Sequence, residues 1–133
     1  MLILVLIFGG AYSGKLHWVK DNFNIKEAEI YYCGSSNNSK EIDFSKKVIN
    51  NFHKFTYEIT LDDKDPLEYI IDNEKLFDNK IIICDDISEG IVPLKKEERL
   101  WRENTGKCLQ YLSKKSNKVY RIFCGIPMVI KDE

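Results

Sequence analysis

Chemically useful residues stand close together near the start of the chain, in the spacing Gly9-x-x-x-x-Gly14-Lys15. This segment follows a continuous apolar run and precedes a predicted helix over residues 15–22, which is the setting of a phosphate-binding loop. Glycines let backbone N–H groups turn toward phosphate oxygens, the helix N-terminus adds partial positive charge, and Lys15 offers an ammonium group. A glycine-rich turn that binds no ligand is the alternative. We predict a nucleotide-binding loop that consists of Gly9, Gly10, Ala11, Tyr12, Ser13, Gly14, Lys15 and Leu16.

Leu16 departs from the usual form of such loops, in which a Ser or Thr follows the lysine and its hydroxyl binds Mg²⁺. A leucine side chain has no atom that can bind a metal ion. Ser13 supplies a hydroxyl from inside the loop, but from a different place. The loop therefore predicts nucleotide binding and leaves open whether metal-assisted phosphoryl transfer takes place.

Two adjacent carboxylates, Asp85 and Asp86, follow a short apolar strand predicted over residues 80–84. The carboxyl end of a parallel strand lies at the same sheet edge as a phosphate loop. Carboxylates in that place can hold Mg²⁺ directly or through water. We predict Asp85 and Asp86 as Mg²⁺ ligands, with two solvated turn residues as the alternative.

The composition of the 133 residues limits the classes of protein to which the chain can belong. Hydrophobic residues make up 44% and charged residues 31%, which excludes a disordered or collagen-like chain and supports one domain over residues 1–133. The net charge of −1 argues against nucleic acid or an anionic membrane as the main partner. The opening apolar run, residues 1–8, has no basic stretch before it and is too short to span a bilayer.

Four cysteines and two histidines offer little for a structural metal site. No two cysteines form a Cys-x-x-Cys pair, so the sequence does not predict bound zinc. We interpret the cysteines as reduced thiols and expect a cytoplasmic location. They are Cys33, Cys84, Cys108 and Cys124.

Apolar patterns along the chain predict strands that alternate with helices. The predicted strands cover residues 1–8, 27–33, 55–61, 80–84 and 119–124, with a short edge strand over 128–130 after a break at Gly125-Ile126-Pro127. The predicted helices cover residues 15–22, 40–52, 65–77 and 97–114, and residues 34–39 and 90–93 are predicted loops. This alternation predicts an α/β fold, a three-layer sandwich of the P-loop NTPase kind with a mostly parallel sheet flanked by helices.

Three stretches in the second half of the chain resemble one known family. Residues 85–93, Asp-Asp-Ile-Ser-Glu-Gly-Ile-Val-Pro, resemble the Asn-Glu-Val-Gly-x-Gly-Ile-Val-Pro signature of the bifunctional adenosylcobinamide kinase / adenosylcobinamide-phosphate guanylyltransferase family. Residues 99–110 are similar to that family's Arg-x-Phe-Arg-Asp-x-x-Gly-x-x-Asn-Gln helix, and residues 119–131 to its closing strand, Gly-Ile-Pro turn and terminal lysine. The family also opens with a strand and a Gly-Gly-x-x-Ser-Gly-Lys loop, which residues 9–15 match.

The resemblance implies a transferase of cobalamin biosynthesis that works in two steps. A nucleoside triphosphate, GTP or ATP, phosphorylates the hydroxyl of adenosylcobinamide, with Mg²⁺ as cofactor. GTP then guanylylates an enzyme histidine, and GMP passes to the phosphorylated cobinamide. The resemblance also implies a homo-oligomer, since the family assembles as a trimer. Two alternatives stay open: a catalytically reduced nucleotide-binding protein that acts as a sensor or assembly partner, and a small kinase with another substrate.

The resemblance also suggests roles for individual residues. The family's nucleophile lies on the helix after the second strand in an Arg-Ile-x-x-His pattern, and His53 falls within a residue or two of that place. His53 and Lys15 are therefore the expected catalytic residues, with an ordinary histidine at a helix end as the alternative for His53. Glu58 corresponds to a glutamate of the nucleotide site. Arg99 and Arg102 either bind phosphate or form an ion-paired helix face.

The chain is shorter than members of this family. Their Asp-x-Leu-Thr-x-Trp segment, a strand and a helix, has no counterpart before Asp85, so we expect one strand and its helix to be missing or fused. His17 is expected to be structural or solvated. Five aromatic residues are candidates to line a pocket for a large ring, although core positions are the commoner use: Trp18, Tyr31, Tyr32, Tyr57 and Trp101.

Overall fold

The structure, a computed structural model, describes residues 3–34, 40–87 and 95–133 of the chain. Its strands are β1 (Val5–Gly9), β2 (Ile30–Tyr32), β3 (Val48–Asn50), β4 (Ile81–Asp85), β5 (Lys118–Phe123) and β6 (Ile126–Asp132). Its α-helices are α1 (Lys15–Phe23), α2 (Phe52–Leu61), α3 (Pro66–Asp72) and α4 (Lys96–Lys115), and single 3₁₀ turns cover Glu27–Glu29 and Glu74–Phe77. In these ranges, no helix combines the length and apolar composition that a membrane span requires.

The six strands form one sheet in the order β2-β3-β4-β1-β5-β6. The pairs from β2 to β5 are all parallel, and β6 alone is antiparallel, at the edge beside β5. This arrangement confirms the predicted α/β fold with a mostly parallel sheet. It brings the carboxyl ends of β1, β3 and β4 to one edge, where the phosphate loop and Asp85 meet.

Both faces of the central strands are buried, which explains the continuous apolar runs. Leu6 of β1, with Leu4 just before the strand, packs on the face that carries α2, α3 and α4, whereas Val5 and Ile7 pack on the face that carries α1. Strand β4 alternates between the same two faces. Because side chains point to opposite sides in turn along a strand, a strand between two helix layers is apolar at every position. The protein therefore has three layers, as predicted.

The predicted secondary structure of residues 40–61 is wrong. The predicted helix over 40–52 is absent, and the predicted strand over 55–61 is helix α2. Phe52, Phe55, Thr56 and Ile59 recur at helical spacing and are buried, whereas Leu61 is 47% exposed. The alternation that suggested a strand was therefore incidental.

Strand β3 and helix α2 stand immediately before α3 and β4. The absence of one strand and its helix relative to the longer family members stays a prediction. His53 lies on the helix after the third strand, not after the second as the resemblance suggested.

The end of the chain also differs from its prediction. Cys124 and Gly125, with φ of 49° and 76°, form a two-residue turn between β5 and β6. Pro127 was expected to break the strand, but it lies within β6, opposite Ile122. Proline is tolerated there because an edge strand leaves one row of its backbone groups without a neighbouring strand. Strand β6 is therefore longer than the predicted 128–130.

Candidate functional site

The phosphate loop connects β1 to α1 and is supported by the turn between β5 and β6. A Cβ atom on Gly9 would lie 2.4 Å from the carbonyl oxygen of Ile122, so this position requires glycine. Gly14 is the N-cap of α1 and has a φ of 85°, in the left-handed region that favours glycine. The N–H of Gly125 donates to the carbonyl of Ser13 at 2.8 Å. These constraints fix the loop so that Lys15 starts the helix.

Lys15 is a buried cation, with only 6% of its surface exposed. Its ammonium lies 2.7 Å from Asp85 Oδ1 and donates to the carbonyl of Gly10 at 2.7 Å. The hydroxyl oxygen of Ser13 is 3.4 Å away. A buried charge requires a partner of opposite charge, and Asp85 supplies it. The ion pair brings together the lysine and the aspartate that the sequence placed at the same sheet edge.

Asp85 also contacts His53, the first-turn residue of α2. The backbone N–H of Asp85 donates to His53 Nδ1 at 3.1 Å, and its Oδ2 lies 3.4 Å from His53 Nε2. Because Nδ1 accepts a hydrogen bond, the neutral ring carries its proton on Nε2, which faces the carboxylate. Burial lowers the pKa of His53; Asp85 opposes this shift, and Lys54 and Lys15 add to it. His53 is therefore neutral at pH 7.

The backbone of His53 is held from the other side by α4. The indole N–H of Trp101 donates to the carbonyl of His53 at 2.9 Å and lies 3.1 Å from the hydroxyl of Thr56. The Thr56 hydroxyl donates to the same carbonyl at 2.9 Å and is 2.7 Å from the hydroxyl of Thr105. Sequence analysis missed this network, since threonines within an amphipathic helix give no signal of their partner on another helix.

Two cavities adjoin at the carboxyl edge of the sheet. The first, of about 420 Å³, is lined by the phosphate loop from Ala11 to Leu16 and by the ends of β3 and β4. The second, of about 540 Å³, lies between α2 and α4. Both are lined by His53, Lys54 and Asp85. The His53–Asp85 pair therefore forms a wall between a phosphate-loop cavity, hereafter the loop cavity, and an interhelical cavity.

Other predicted site residues lie elsewhere. Glu58 lines the interhelical cavity and not the loop cavity. Among the described lining residues of these two cavities, neither Arg99 nor Arg102 is present. The side chain of Arg102 donates to the carbonyl of Ile87 at 3.0 Å, and Arg99 is exposed on α4. Arg102 thus ties α4 to the chain after β4, which is a structural contact.

The aromatic candidates divide between cavity and core. Tyr57 and Trp101 line the interhelical cavity, with their rings edge to face at 5.0 Å. Trp18 of α1 packs on Phe23 of the same helix and on Tyr120 of β5. Tyr31 and Tyr32 pack against the two cores, and His17 is exposed beside Asp21 at 3.2 Å.

The donor set favours Mg²⁺ that enters with a nucleotide over a resident ion. The part of the chain that the structure describes has no group of three His, Cys, Asp or Glu side chains placed to hold a metal. Asp85 is the carboxylate at the loop cavity, whereas Asp86 does not line it and donates its backbone N–H to the Gly9 carbonyl at 2.8 Å. Mg²⁺ commonly takes one or two protein carboxylates and completes its shell with phosphate oxygens and water, and Asp85 fits that pattern.

Most of the predicted loop 34–39 and all of the predicted loop 90–93 lie outside the described residues, which omit 35–39 and 88–94. The second of these contains the Gly-Ile-Val-Pro part of the resemblance. The four cysteines are unpaired, and Cys124 alone among them is exposed.

Comparison with known proteins concerns mainly the second half of the chain. The family model described as cobinamide kinase / cobinamide phosphate guanyltransferase matches residues 62–130, just over half of the chain. The match includes α3, β4 with Asp85, α4 and β5, and it begins after the phosphate loop and His53. A search of curated proteins finds no match.

Proposed function

Because the chain belongs to the cobinamide kinase / cobinamide phosphate guanyltransferase family, we propose that it is a nucleotide-dependent transferase that acts on cobinamide in cobalamin biosynthesis. The observation that carries this proposal is the meeting of Lys15, Asp85 and His53 between two adjoining cavities. One cavity has the features of a phosphate site, and the other can admit an acceptor beside it.

The phosphates of GTP or ATP bind in the loop cavity. The backbone N–H groups of the loop and the N-terminus of α1 face the anion, and Lys15 exchanges Asp85 for a phosphate oxygen. Asp85 Oδ1, released by the lysine, is the oxygen that would hold a Mg²⁺ ion entering with the nucleotide. Such an ion neutralises charge that develops on the phosphates.

The hydroxyl of cobinamide enters through the interhelical cavity. Its oxygen attacks the γ-phosphorus in line, the O–P bond to the nucleoside diphosphate breaks, and the hydroxyl proton is released. Positioning and electrostatics account for most catalysis of this kind. The wall of His53 and Asp85, shared by both cavities, is where the two substrates would meet.

A second candidate activity is guanylyl transfer through His53. The neutral ring and its contact with Asp85 Oδ2, 3.4 Å from Nε2, favour it. This step requires the tautomer that carries its proton on Nδ1, so the ring must first give up the hydrogen bond from the Asp85 N–H. The free lone pair of Nε2 then bonds to the α-phosphorus of GTP, the bond from that phosphorus to pyrophosphate breaks, and pyrophosphate leaves. GMP would then pass to phosphorylated cobinamide.

The first experiment is calorimetric titration with GTP and ATP, each with and without Mg²⁺, followed by a turnover assay with cobinamide. Micromolar binding and turnover are expected. Binding without turnover would instead support a nucleotide sensor or assembly partner, for which Leu16 is the argument. No binding of either nucleotide would contradict the transferase. A GMP mass increment on His53 tests the guanylyl step separately.

We also propose a homo-oligomer, with three copies as the family resemblance implies. Strand β6 supports this proposal, because its apolar residues Ile126, Met128, Val129 and Ile130 are between 49% and 64% exposed. A cytoplasmic location is consistent with unpaired thiols and with the use of nucleoside triphosphates.

A further inference from the structure

We propose that the start of α2 is a second phosphate subsite, so that the loop cavity binds a polyphosphate chain that runs from the phosphate loop to α2. This inference rests on the proposed nucleotide-dependent function and adds to it the place where the phosphoryl group lies before transfer. The subsite consists of Asn50, Asn51, Lys54 and the backbone N–H groups in the first turn of α2.

Asn50, the last residue of β3, is the first argument. It is only 6% exposed and lines the loop cavity, and its side-chain amide forms no hydrogen bond within the described parts of the chain. The same parts contain no fully enclosed side-chain nitrogen or oxygen without a partner, so the amide of Asn50 reaches the cavity and not the core. Because a buried polar group needs a partner, this amide is placed to bond to a ligand in the cavity.

The N-terminus of α2 is the second argument. Asn51 is the N-cap residue and lines the loop cavity, but its backbone is left-handed, with φ of 59°, and its side chain makes no capping hydrogen bond. The first N–H groups of a helix have no partner inside it, and an asparagine cap usually accepts a hydrogen bond from one of them. Here that donor is left to another acceptor. An uncapped helix N-terminus, with its partial positive charge, is suited to an anion.

Lys54 adds an unpaired cation to the same turn. Its ammonium has no hydrogen bond or ion pair within the described residues, and its side chain lines the loop cavity. The first turn of α2 contains no acidic residue. A cation at a helix N-terminus opposes the helix dipole, so this placement costs stability unless an anion binds there. The helix end, the ammonium and the amide of Asn50 therefore favour the same kind of ligand.

The proposed subsite and the phosphate loop lie on the two sides of one carboxylate. Asp85 contacts the ammonium of Lys15 through Oδ1 at 2.7 Å, and its Oδ2 lies 3.4 Å from His53 Nε2. The start of α1 and the start of α2 line the same cavity. With two phosphates at the loop, a third would lie beside His53, which also lines the interhelical cavity. The phosphorus to be attacked would then be next to the acceptor.

Calorimetric titration of the full chain with pyrophosphate and with tripolyphosphate, in buffer free of divalent cations, tests the subsite. We expect tripolyphosphate to bind at least about tenfold more tightly, since its third phosphate adds hydrogen bonds between charged groups. In Asn50→Leu/Lys54→Met, which keeps the size of both side chains, the ratio should fall to within about threefold, and pyrophosphate affinity should change by less than about threefold.

Two further variants make the titration specific. Lys54→Met alone changes an exposed residue, so it keeps the test valid if Asn50→Leu does not fold, and it should lower the ratio by about threefold or more. Lys107→Met is the matched control, because Lys107 is an exposed lysine on α4 that pairs with Glu103. It should leave the ratio unchanged.

Equal affinity of the unmodified protein for the two anions would overturn the proposal, and so would a ratio that the substitutions at Asn50 and Lys54 leave unchanged. If neither anion binds, the subsite and the nucleotide-binding loop both fail. GTP and GDP are compared in the same way. A preference for tripolyphosphate that GTP does not share would support the subsite for an inorganic polyphosphate and not for a nucleotide.

Turnover of cobinamide with GTP or ATP is a separate readout on the unmodified protein. Turnover together with equal affinity for the two anions would overturn the subsite and leave the transferase proposal intact. Selective binding of tripolyphosphate that depends on Asn50 and Lys54, without turnover, would support the subsite and contradict the transferase.

Discussion

Asp85 has two partners that come from different elements: Lys15 at the start of α1 and His53 at the start of α2. Each carboxylate oxygen faces one of them. The lysine charge is buried, so it requires an anionic partner, and in the proposed mechanism a phosphate oxygen would replace Asp85 in that role. The arrangement suits a site that must hold a cation ready without a bound anion.

Substitution of Lys15 by methionine tests its role in binding. Lys15→Met keeps the length of the side chain and removes its charge, so GTP or ATP should bind about 10- to 100-fold more weakly, since hydrogen bonds to charged groups contribute about 1.5–3 kcal/mol. Calorimetry measures the change. Lys20→Met is the control, because Lys20 pairs with Glu27 away from the loop cavity. An unchanged dissociation constant in Lys15→Met would show that the ammonium does not reach the phosphates.

The pH dependence of stability tests the neutral state of His53. The pKa of His53 is lowered in the folded protein. At pH values below the ordinary value of about 6.5, this histidine therefore binds a proton in the unfolded chain but not in the folded chain. Stability should therefore fall as pH decreases from 7 to 5, and His53→Gln should flatten this part of the curve. Thermal unfolding at several pH values is the measurement, with His17→Gln as control. Carboxylates whose pKa is lowered in the folded protein, such as Glu27, change the stability only at pH values below this range.

Adjacent glycines in the phosphate loop should respond differently to alanine. In Gly9→Ala the new Cβ would meet the Ile122 carbonyl at 2.4 Å, so we expect a loss of at least about 2 kcal/mol in unfolding free energy. Gly10 has no atom within 4 Å of an added Cβ, so Gly10→Ala should stay within about 0.5 kcal/mol. Urea denaturation compares the two, and equal effects would contradict the close packing of Gly9 against β5.

At the scale of elements, the contact of α2 with α4 determines where His53 lies. The hydroxyls of Thr56 and Thr105 and the indole of Trp101 form one polar cluster in this contact. Asn104 adds a second one by donating to the hydroxyl of Thr60 at 3.1 Å. Because buried polar groups need partners, the network specifies how the two helices meet.

Thr105→Val tests that network. Valine has nearly the same shape but no hydroxyl, so Thr56 loses one partner and the free energy of unfolding should fall by about 1 kcal/mol. Turnover should also decrease if the first turn of α2 shifts. Gln110→Ala, an exposed change on the same helix, is the control for urea denaturation. A neutral result in Thr105→Val would show that the remaining hydrogen bonds to His53 are sufficient.

The sequence predicted the elements whose patterns are local. The run that forms β1, the glycine loop and the start of α1 follow one another, so Lys15 could be located without knowledge of the fold. Strand β3 has only three residues, and it exists because β2 and β4 lie on either side of it. Such tertiary context is invisible in a short window, which is why residues 40–61 were assigned wrongly.

The sequence predicted only those parts of the candidate site that follow from local patterns. Lys15 and Asp85 follow from the rule that parallel strands end at one edge. His53 reached the cavity, but from a helix other than the one expected. Trp101 contacts a residue 48 positions earlier in the chain, and no periodicity within α4 indicates that pairing.

At the scale of the whole molecule, β6 is an edge of the sheet, and among the residues that the structure describes none covers either of its faces. Its exposed apolar residues, with Phe123 at 64% exposure, form a continuous patch beside unpaired backbone groups. Edges of this kind pair with another chain or are blocked by charge. The apolar character of β6 favours a second copy as the partner.

Charges placed on β6 should dissociate the proposed oligomer. Val129→Lys/Ile130→Lys adds one positive charge to each face of the strand, and light scattering at tens of micromolar should then report a monomer. Ile71→Lys is the matched control, because Ile71 is a 47% exposed isoleucine on α3. A monomeric mass for the unmodified protein would contradict the proposed assembly.

The turn that begins β6 also supports the phosphate loop, through the Gly125 N–H and the Ser13 carbonyl at 2.8 Å. A partner bound to β6 would contact one part of the β5–β6 hairpin, and a nucleotide in the loop cavity would contact the phosphate loop that the turn of this hairpin supports. If docking shifts that turn, it changes nucleotide affinity by some factor, and thermodynamic reciprocity requires the nucleotide to change self-association by the same factor. Nucleotide affinity would then depend on protein concentration, because the hairpin would couple self-association to nucleotide binding.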